Sequence, residues 1–269
     1  MLFEWYNLSM DENVIEVIDL SVYACFLRST EKIVGDVSFC LKSGERLAIV
    51  GESGSGKSMI VNSLTASLAD NCFATGEIVV DDTNLLENPK KAKAILGRQI
   101  VFVPQGGAES LNPSLKIKTQ IYEAFSRSGL KLTREQKRAY SVYNLARAGL
   151  KNGEEIFEKY PFEISGGEAQ RVVLAIAMCA NAKLIVADEA TRGIDQETSE
   201  TFWNCINSDF QNTALIIVTH DMTVAKKCDY VLVLKDGCVQ EYGKTCEVFS
   251  NPKSEYAKSL ISACEVSYA

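Results

Sequence analysis

The sequence predicts an α/β fold built on a parallel sheet, with an antiparallel β region towards the amino-terminal end and a helical insert in the middle. Three observations carry this. Short β-like runs, Val14 to Leu20, Val37 to Leu41 and Arg46 to Val50, crowd the first 50 residues. Lys42-Ser43-Gly44-Glu45 reads as a turn between the last two, so antiparallel pairing is expected there. Residues 119–160 hold several helical stretches, among them Thr133 to Leu150, where Thr133 and Gln136 form a capping box. From Gly167 onward a helix (Gly167 to Ala180), a strand (Lys183 to Ala187), a helix (Gln196 to Ser208) and strands at Thr213 to Val218 and Tyr230 to Leu234 follow one another. That alternation is the pattern of a parallel sheet covered on both faces. Asp236-Gly237, between Tyr230–Lys235 and Cys238–Tyr242, signals a tight hairpin.

Composition narrows the class of function. A chain of 269 residues that is 46% hydrophobic buries its own core without disulfides or metal. The net charge of -7 argues against a general nucleic-acid binder, whose phosphate contacts require a basic excess. Nine cysteines lie scattered with no C-x-x-C pair, the usage of reduced thiols that sit mostly in the core. No secretory leader is expected, and no run reaches the roughly 18 apolar residues of a membrane span. One main domain, 1–269, is expected, with a helical insert at about 106–180 and a short tail at about 244–269.

Two segments carry chemistry by themselves. Gly51-Glu52-Ser53-Gly54-Ser55-Gly56-Lys57-Ser58 fits G-x-x-x-x-G-K-[ST], with an apolar strand before it and a helix (Lys57 to Ala69) after it. Such a loop turns backbone N–H groups around phosphates, the helix N-terminus adds positive potential, and Lys57 reaches the terminal phosphates. Ser58 would offer its hydroxyl to Mg2+. Downstream, Lys183-Leu184-Ile185-Val186-Ala187-Asp188-Glu189 is an apolar strand ending in two acids, at the sheet edge where ligands of open α/β folds sit. Asp188 suits Mg2+ through its water shell, and Glu189 suits polarising the attacking water. Two solvated acids capping a strand are the alternative, and the phosphate loop upstream favours the catalytic reading.

Ser165-Gly166-Gly167-Glu168-Ala169-Gln170-Arg171, ahead of an apolar helix, resembles the signature motif of ATP-binding-cassette (ABC) proteins. Ser165 with Glu168 also reads as a helix capping box, and both readings can hold together. The resemblance spans about Val14 to Ala263 and implies a P-loop ABC ATPase core with an antiparallel β subdomain and an inserted α-helical subdomain, using ATP and Mg2+. It also implies that two subunits meet head to tail, each ATP lying between one chain's Lys57 loop and the partner's Ser165-Gly166-Gly167. By the same resemblance Gln105, in Phe102-Val103-Pro104-Gln105, is the glutamine-loop residue that touches Mg2+ or water. His220, the only histidine, matches the switch histidine at the γ-phosphate, and Asp195 matches the inter-subunit loop, where a plain helix cap is the alternative.

The phosphate loop, Ser110-Leu111-Asn112-Pro113 and the tail Val248-Phe249-Ser250-Asn251-Pro252-Lys253-Ser254-Glu255-Tyr256 are similar to the peptide/nickel importer branch. This implies import of peptides, nickel or metal-chelate complexes. The implied partners are a second ATPase subunit, identical or not, two transmembrane channel subunits and, indirectly, an extracytoplasmic binding protein, with no nucleic acid. The location implied is the cytoplasmic face of the membrane. Some members carry a C-terminal iron-sulfur cluster; none is expected here. The pattern departs at Ala190, where proline is usual, at Gly193-Ile194 before Asp195, and at Ala24, where the adenine-stacking aromatic falls. Tyr23 or Phe26, beside Ala24, would then supply the stacking face, with Tyr23 taken as the nucleotide-binding candidate. The rival functions are an ABC ATPase of a soluble complex, such as a phosphonate-cleaving one, and a regulatory subunit that binds ATP without turnover.

Overall fold

The computed structural model describes residues 13–180, 182–190 and 196–266. They divide into two units, one holding the chain up to residue 92 and again from 221, the other residues 93–220. The first unit opens with β1 (Asn13–Cys25), β2 (Thr30–Lys42), β3 (Arg46–Val50), α1 (Lys57–Leu64), β4 (Cys72–Val80) and β5 (Thr83–Asn84), and the chain leaves it through α2 (Pro89–Ile95). The second contains β6 (Ile100–Val103), α3 (Gly107–Ser110), α4 (Ile117–Arg127), α5 (Arg134–Arg147), α6 (Gly153–Glu158), a 3-10 turn at Pro161–Glu163, α7 (Gly166–Cys179), β7 (Leu184–Asp188), α8 (Gln196–Ser208) and β8 (Ala214–Thr219). The chain then returns to the first unit with α9 (Met222–Ala225), β9 (Tyr230–Lys235), β10 (Cys238–Lys244), α10 (Thr245–Ser250) and α11 (Glu255–Val266).

In the first unit the strands lie in the order β5-β4-β1-β2-β10-β9-β3. β1 runs antiparallel to both β2 and β4, the antiparallel region the sequence predicts. Both β1 and β2 outlast their apolar runs. Asp19 (φ 48°) and Asp36 (φ 56°) take left-handed backbone at irregularities in the ladder, where Ser38 Oγ accepts the Asp19 N–H (2.9 Å) and Ser21 Oγ accepts that of Asp36 (3.1 Å). Side chains thus replace ladder bonds at the bulge, and Leu20, Ser21 and Val22 are all buried beyond it. The turn at 42–45 forms, with the Lys42 carbonyl accepting the Glu45 N–H, but it does not make a hairpin: β3 pairs parallel with β9 instead of with β2. Four of the five residues of β3, Leu47 to Val50, are buried in succession, the pattern of a parallel strand covered on both faces and not of a half-exposed hairpin strand.

The helix expected to reach Ala69 stops at Leu64. Thr65 turns its hydroxyl back to the Val61 carbonyl (2.8 Å), Ala66 is left-handed (φ 48°), and from Cys72 the chain becomes β4 against β1. The Asp236-Gly237 hairpin is present between β9 and β10, with φ of 48° and 74°. Two successive positive φ values are the backbone that glycine and aspartate tolerate and that matches strand twist.

The second unit carries three parallel strands in the order β8-β7-β6. The interior residues of β7 and all of β8 are buried, as a sheet covered on both faces requires. Between β6 and β7 lies the predicted helical insert, α4 to α6, whose Ile117, Ile121, Phe125 and Leu145 are buried. The Thr133 capping box forms in both directions, Thr133 Oγ1 accepting the Gln136 N–H (3.2 Å) and Gln136 Oε1 accepting that of Thr133 (2.9 Å). Among the described residues no helix is long and apolar enough to cross a membrane.

The cysteines depart from the expected core placement. Cys179, Cys205 and Cys228 are buried, Cys40 and Cys72 are half-buried, and Cys25, Cys238 and Cys246 are exposed, all as free thiols. Burial pushes the Cys179 and Cys228 thiols up to about 12 and Cys205 to about 11, because a thiolate there has no water to solvate it. In the native protein at pH 8, iodoacetamide followed by peptide mapping should alkylate Cys25, Cys238 and Cys246, and reach Cys179, Cys205 and Cys228 only after unfolding. Equal labelling of both sets would contradict this packing.

Candidate active site

The glycine loop of the first unit springs from β3, whose Leu47, Ala48, Ile49 and Val50 are fully buried. Parallel pairing of Val50 with Val233 brings the loop's first residue against the end of β9. A methyl group on Gly51 would sit 2.1 Å from the Leu234 carbonyl oxygen and 2.7 Å from Ser55 Oγ, so only glycine fits that approach. The far side of the loop faces outward: Glu52, Ser53 and Gly54 are exposed, as is Ser58 in the first turn of α1. Lys57 is only 7% exposed, and its Nζ donates to the carbonyls of Gly51 and Glu52, both at 2.7 Å, with Ser55 Oγ at 3.4 Å. Gly56 stands at the N-cap of α1 with no side chain capping the helix. A helix opening without a side-chain cap, next to an ammonium pinned by main-chain carbonyls, suits phosphate oxygens.

In the second unit the acids sit at the carboxyl edge of the sheet. Parallel register sets Val103 opposite Ala187 and Asp188 opposite Val218, so β6, β7 and β8 end side by side. Asp188 is the last residue of β7, one beyond the sequence expectation. Glu189 then takes left-handed backbone (φ 44°), while its N–H still donates to the Val218 carbonyl (2.8 Å). A glutamate held in that region costs about 1–3 kcal/mol, the kind of local strain found where a side chain must be aimed. Glu189 Oε1 lies 3.0 Å from His220 Nδ1, directly after β8, with the carboxylate side chain 13% exposed and the imidazole 52% exposed. Gln105 follows β6 at the same edge and is exposed.

Ser165 is the N-cap of α7. Its Oγ accepts the Glu168 N–H (3.2 Å) and Glu168 Oε2 accepts the Ser165 N–H (2.8 Å), so the cap reading of this segment holds. Ser165 and Gly166 are exposed at the helix start, while the helix beyond them is largely buried. Sequence reasoning passed over Gln170. Buried on α7, it donates through Nε2 to the Ala190 carbonyl (3.1 Å), tying the Ser165-Gly166-Gly167 helix to the residue after Glu189. A polar residue on the buried face of an amphipathic helix was the available signal.

Around the adenine candidates, Ala24 is buried in the sheet, Phe26 is 55% exposed, and Tyr23 stacks on Phe73 with centroids 5.1 Å apart and planes 12° apart. Asp195 lies outside the described residues. The structure brings together Gly51, Glu52, Ser55 and Lys57 in one unit, and Glu189 and His220 in the other.

A buried strand feeding a lysine-bearing glycine loop, and a parallel sheet whose strand β7 ends at two acids, define a P-loop ATPase. A family model described as "ABC transporter" matches residues 34–192. The metal-staphylopine import system ATP-binding protein CntD of Staphylococcus aureus (strain Mu50) is 34% identical over 238 residues, 86% of this chain and 87% of that protein. The oligopeptide transport ATP-binding protein OppD of Salmonella typhimurium (strain LT2) is 35% identical over 256 residues, 93% of this chain and 76% of that one. Among solved structures, a dimeric post-hydrolysis state of an ATP-binding cassette bound to ADP and Pi superposes with a TM-score of 0.75 at 26% identity, covering 86% of this chain and 98% of the other. The chain belongs to the ABC transporter family, and within it is an ATP-binding and ATP-hydrolysing subunit that uses Mg2+.

Replacing Ser165 by Ala should lower stability by about 1 kcal/mol through loss of the cap. Chemical denaturation of the nucleotide-free protein measures it, and an unchanged midpoint would show that the box contributes nothing to the fold.

Proposed function

We propose that this chain is the motor subunit of an importer for peptides or metal-chelate complexes, working at the cytoplasmic face of a membrane. The observation that carries the hydrolytic half of the reading is the 3.0 Å contact between Glu189 and His220 at the carboxyl edge of β7 and β8. A carboxylate oriented by an imidazole is placed to polarise a water, and in-line attack at a γ-phosphate needs little else from the protein than positioning and charge stabilisation. In this reading Lys57 and the N–H groups of residues 51–58 bind the phosphates, His220 stabilises charge on the γ-phosphate, and Glu189 aligns the water. Ser58, Gln105 and Asp188 are the residues that would hold Mg2+, directly or through water; when bound, the ion neutralises phosphate charge. Tyr23 is the adenine-stacking candidate on this chain, and Asp195 serves the inter-subunit loop.

The cargo class rests on the relatives, one named for metal-staphylopine import and others for oligopeptide transport, which align with most of this chain. The exposed Ser165 and Gly166 at the start of α7 suit a γ-phosphate held by the Lys57 loop of a second ATPase subunit, giving a head-to-tail pair that ATP closes and hydrolysis releases. A groove of about 440 Å³, lined by Val101, Phe102, Leu111, Ala124, Val173 and Ala177, opens on the helical insert and supports docking of a channel subunit there. The extracytoplasmic binding protein would act through that channel.

Glu189→Gln in the assembled complex should cut ATP turnover by at least ~100-fold while leaving ATP binding intact. Normal turnover in this variant would remove Glu189 from the reaction. Cross-linkers placed at residues 106–125 should trap an integral membrane subunit in purified native membranes. Recovery of soluble partners alone would instead favour a non-transport ABC complex.

A further inference from the structure

The phosphate loop has a contact with a distant part of the chain that the ATPase reading leaves unexplained. Glu52 N–H donates to the hydroxyl oxygen of Tyr256 (3.1 Å), in the first turn of α11 and 204 residues further on. Gly51 C=O and Glu52 N–H are the two polar ends of one planar peptide group. Lys57 Nζ binds the first at 2.7 Å and Tyr256 binds the second. Rotation of that peptide would therefore carry the Gly51 oxygen away from the Lys57 ammonium and break the Tyr256 bond together.

Tyr256 is itself held from several sides. Lys235 Nζ, on the residue after Leu234, lies 4.8 Å from the centre of its ring. The Glu241 carboxylate on β10 accepts the N–H of Lys253 (2.9 and 3.0 Å to its two oxygens) and that of Ser254 (3.0 Å). Ser254 Oγ then accepts the Ala257 N–H (3.0 Å), anchoring the start of α11. A carboxylate receiving backbone N–H groups is a strong, short-range anchor. β10 thus fixes residues 253–257, and those residues fix the ring whose oxygen meets the loop.

We propose that Tyr256 is a positioning residue for the ATP loop, holding the Gly51–Glu52 peptide in the orientation that places Lys57 and so coupling α11 to ATP affinity. The proposal rests on the reading of residues 51–58 as the ATP site. Burial also holds the Tyr256 hydroxyl above its ordinary range, which keeps it neutral, with its oxygen available as an acceptor, through the physiological pH interval.

The test is ATP affinity, turnover and nucleotide-free melting temperature for the full chain carrying Tyr256→Phe, with Glu255→Ala as a control on the same helix and Lys57→Ala as a control on the site. Tyr256→Phe keeps the ring and its contact with Lys235 and removes one hydrogen bond. Its Kd and KM for MgATP should rise about 2- to 10-fold. Its kcat at saturating ATP should stay within about twofold, with an unchanged nucleotide-free melting temperature, while Glu255→Ala binds ATP like the wild type. Unchanged ATP affinity in Tyr256→Phe overturns the proposal. So does a matching loss in Glu255→Ala, or a lowered melting temperature accompanying the loss, since either marks a general packing defect of α11. If Lys57→Ala binds ATP like the wild type, the site reading itself fails, and the role of Tyr256 falls with it.

Discussion

The chemistry of the second unit depends on the parallel register of β6, β7 and β8. With Asp188 opposite Val218, the residues that leave these strands emerge side by side, and Glu189 meets His220 although 31 residues separate them. A shift of one residue would turn each side chain to the opposite face and break the pairing. The buried apolar residues of β7 and β8 hold the register, because a slip would carry Leu, Ile and Val side chains to the opposite buried face and undo the packing on both. That same rigidity supports the left-handed backbone of Glu189, a strain that persists only where its surroundings over-determine it.

The first unit solves a different problem, that of shaping main chain around an anion. The glycine at 51 allows the loop to lie against the carbonyl end of β9, and the Lys57 ammonium then draws the carbonyls of Gly51 and Glu52 together. The hold of Lys57 on these two carbonyls is local, contained within eight residues, and it follows from the loop's own pattern. The hold of Tyr256 on the same peptide is not local; it depends on β10, Glu241 and the start of α11 being in place.

Ser165 shows one group serving both stability and function. Its hydroxyl completes the capping box of α7, and the same exposed turn carries the glycines that characterise the family. Gln170 joins that helix to Ala190, so movement of the α7 start and of the residue after Glu189 would be mechanically linked within the unit.

The sequence by itself determined the phosphate loop, the acidic strand end, the signature segment with its cap, the hairpin at Asp236-Gly237 and the helical insert. Each is written in adjacent residues and legible from local pattern: a glycine for a turn, an apolar run for a buried strand, a hydroxyl three residues before a carboxylate for a cap. What was misjudged depended on partners far along the chain. The bulged continuation of β1 and β2 and the choice of β9 over β2 as neighbour of β3 are settled by which surfaces bury one another, and local propensity does not encode that. The exposure of Cys25, Cys238 and Cys246 was illegible for the same reason. Only the tertiary structure brought the Glu189 carboxylate to His220, Gln170 to Ala190 and the Tyr256 hydroxyl to Glu52, because a hydrogen bond between residues remote in sequence exists only once the packing of the core has fixed where both backbones run.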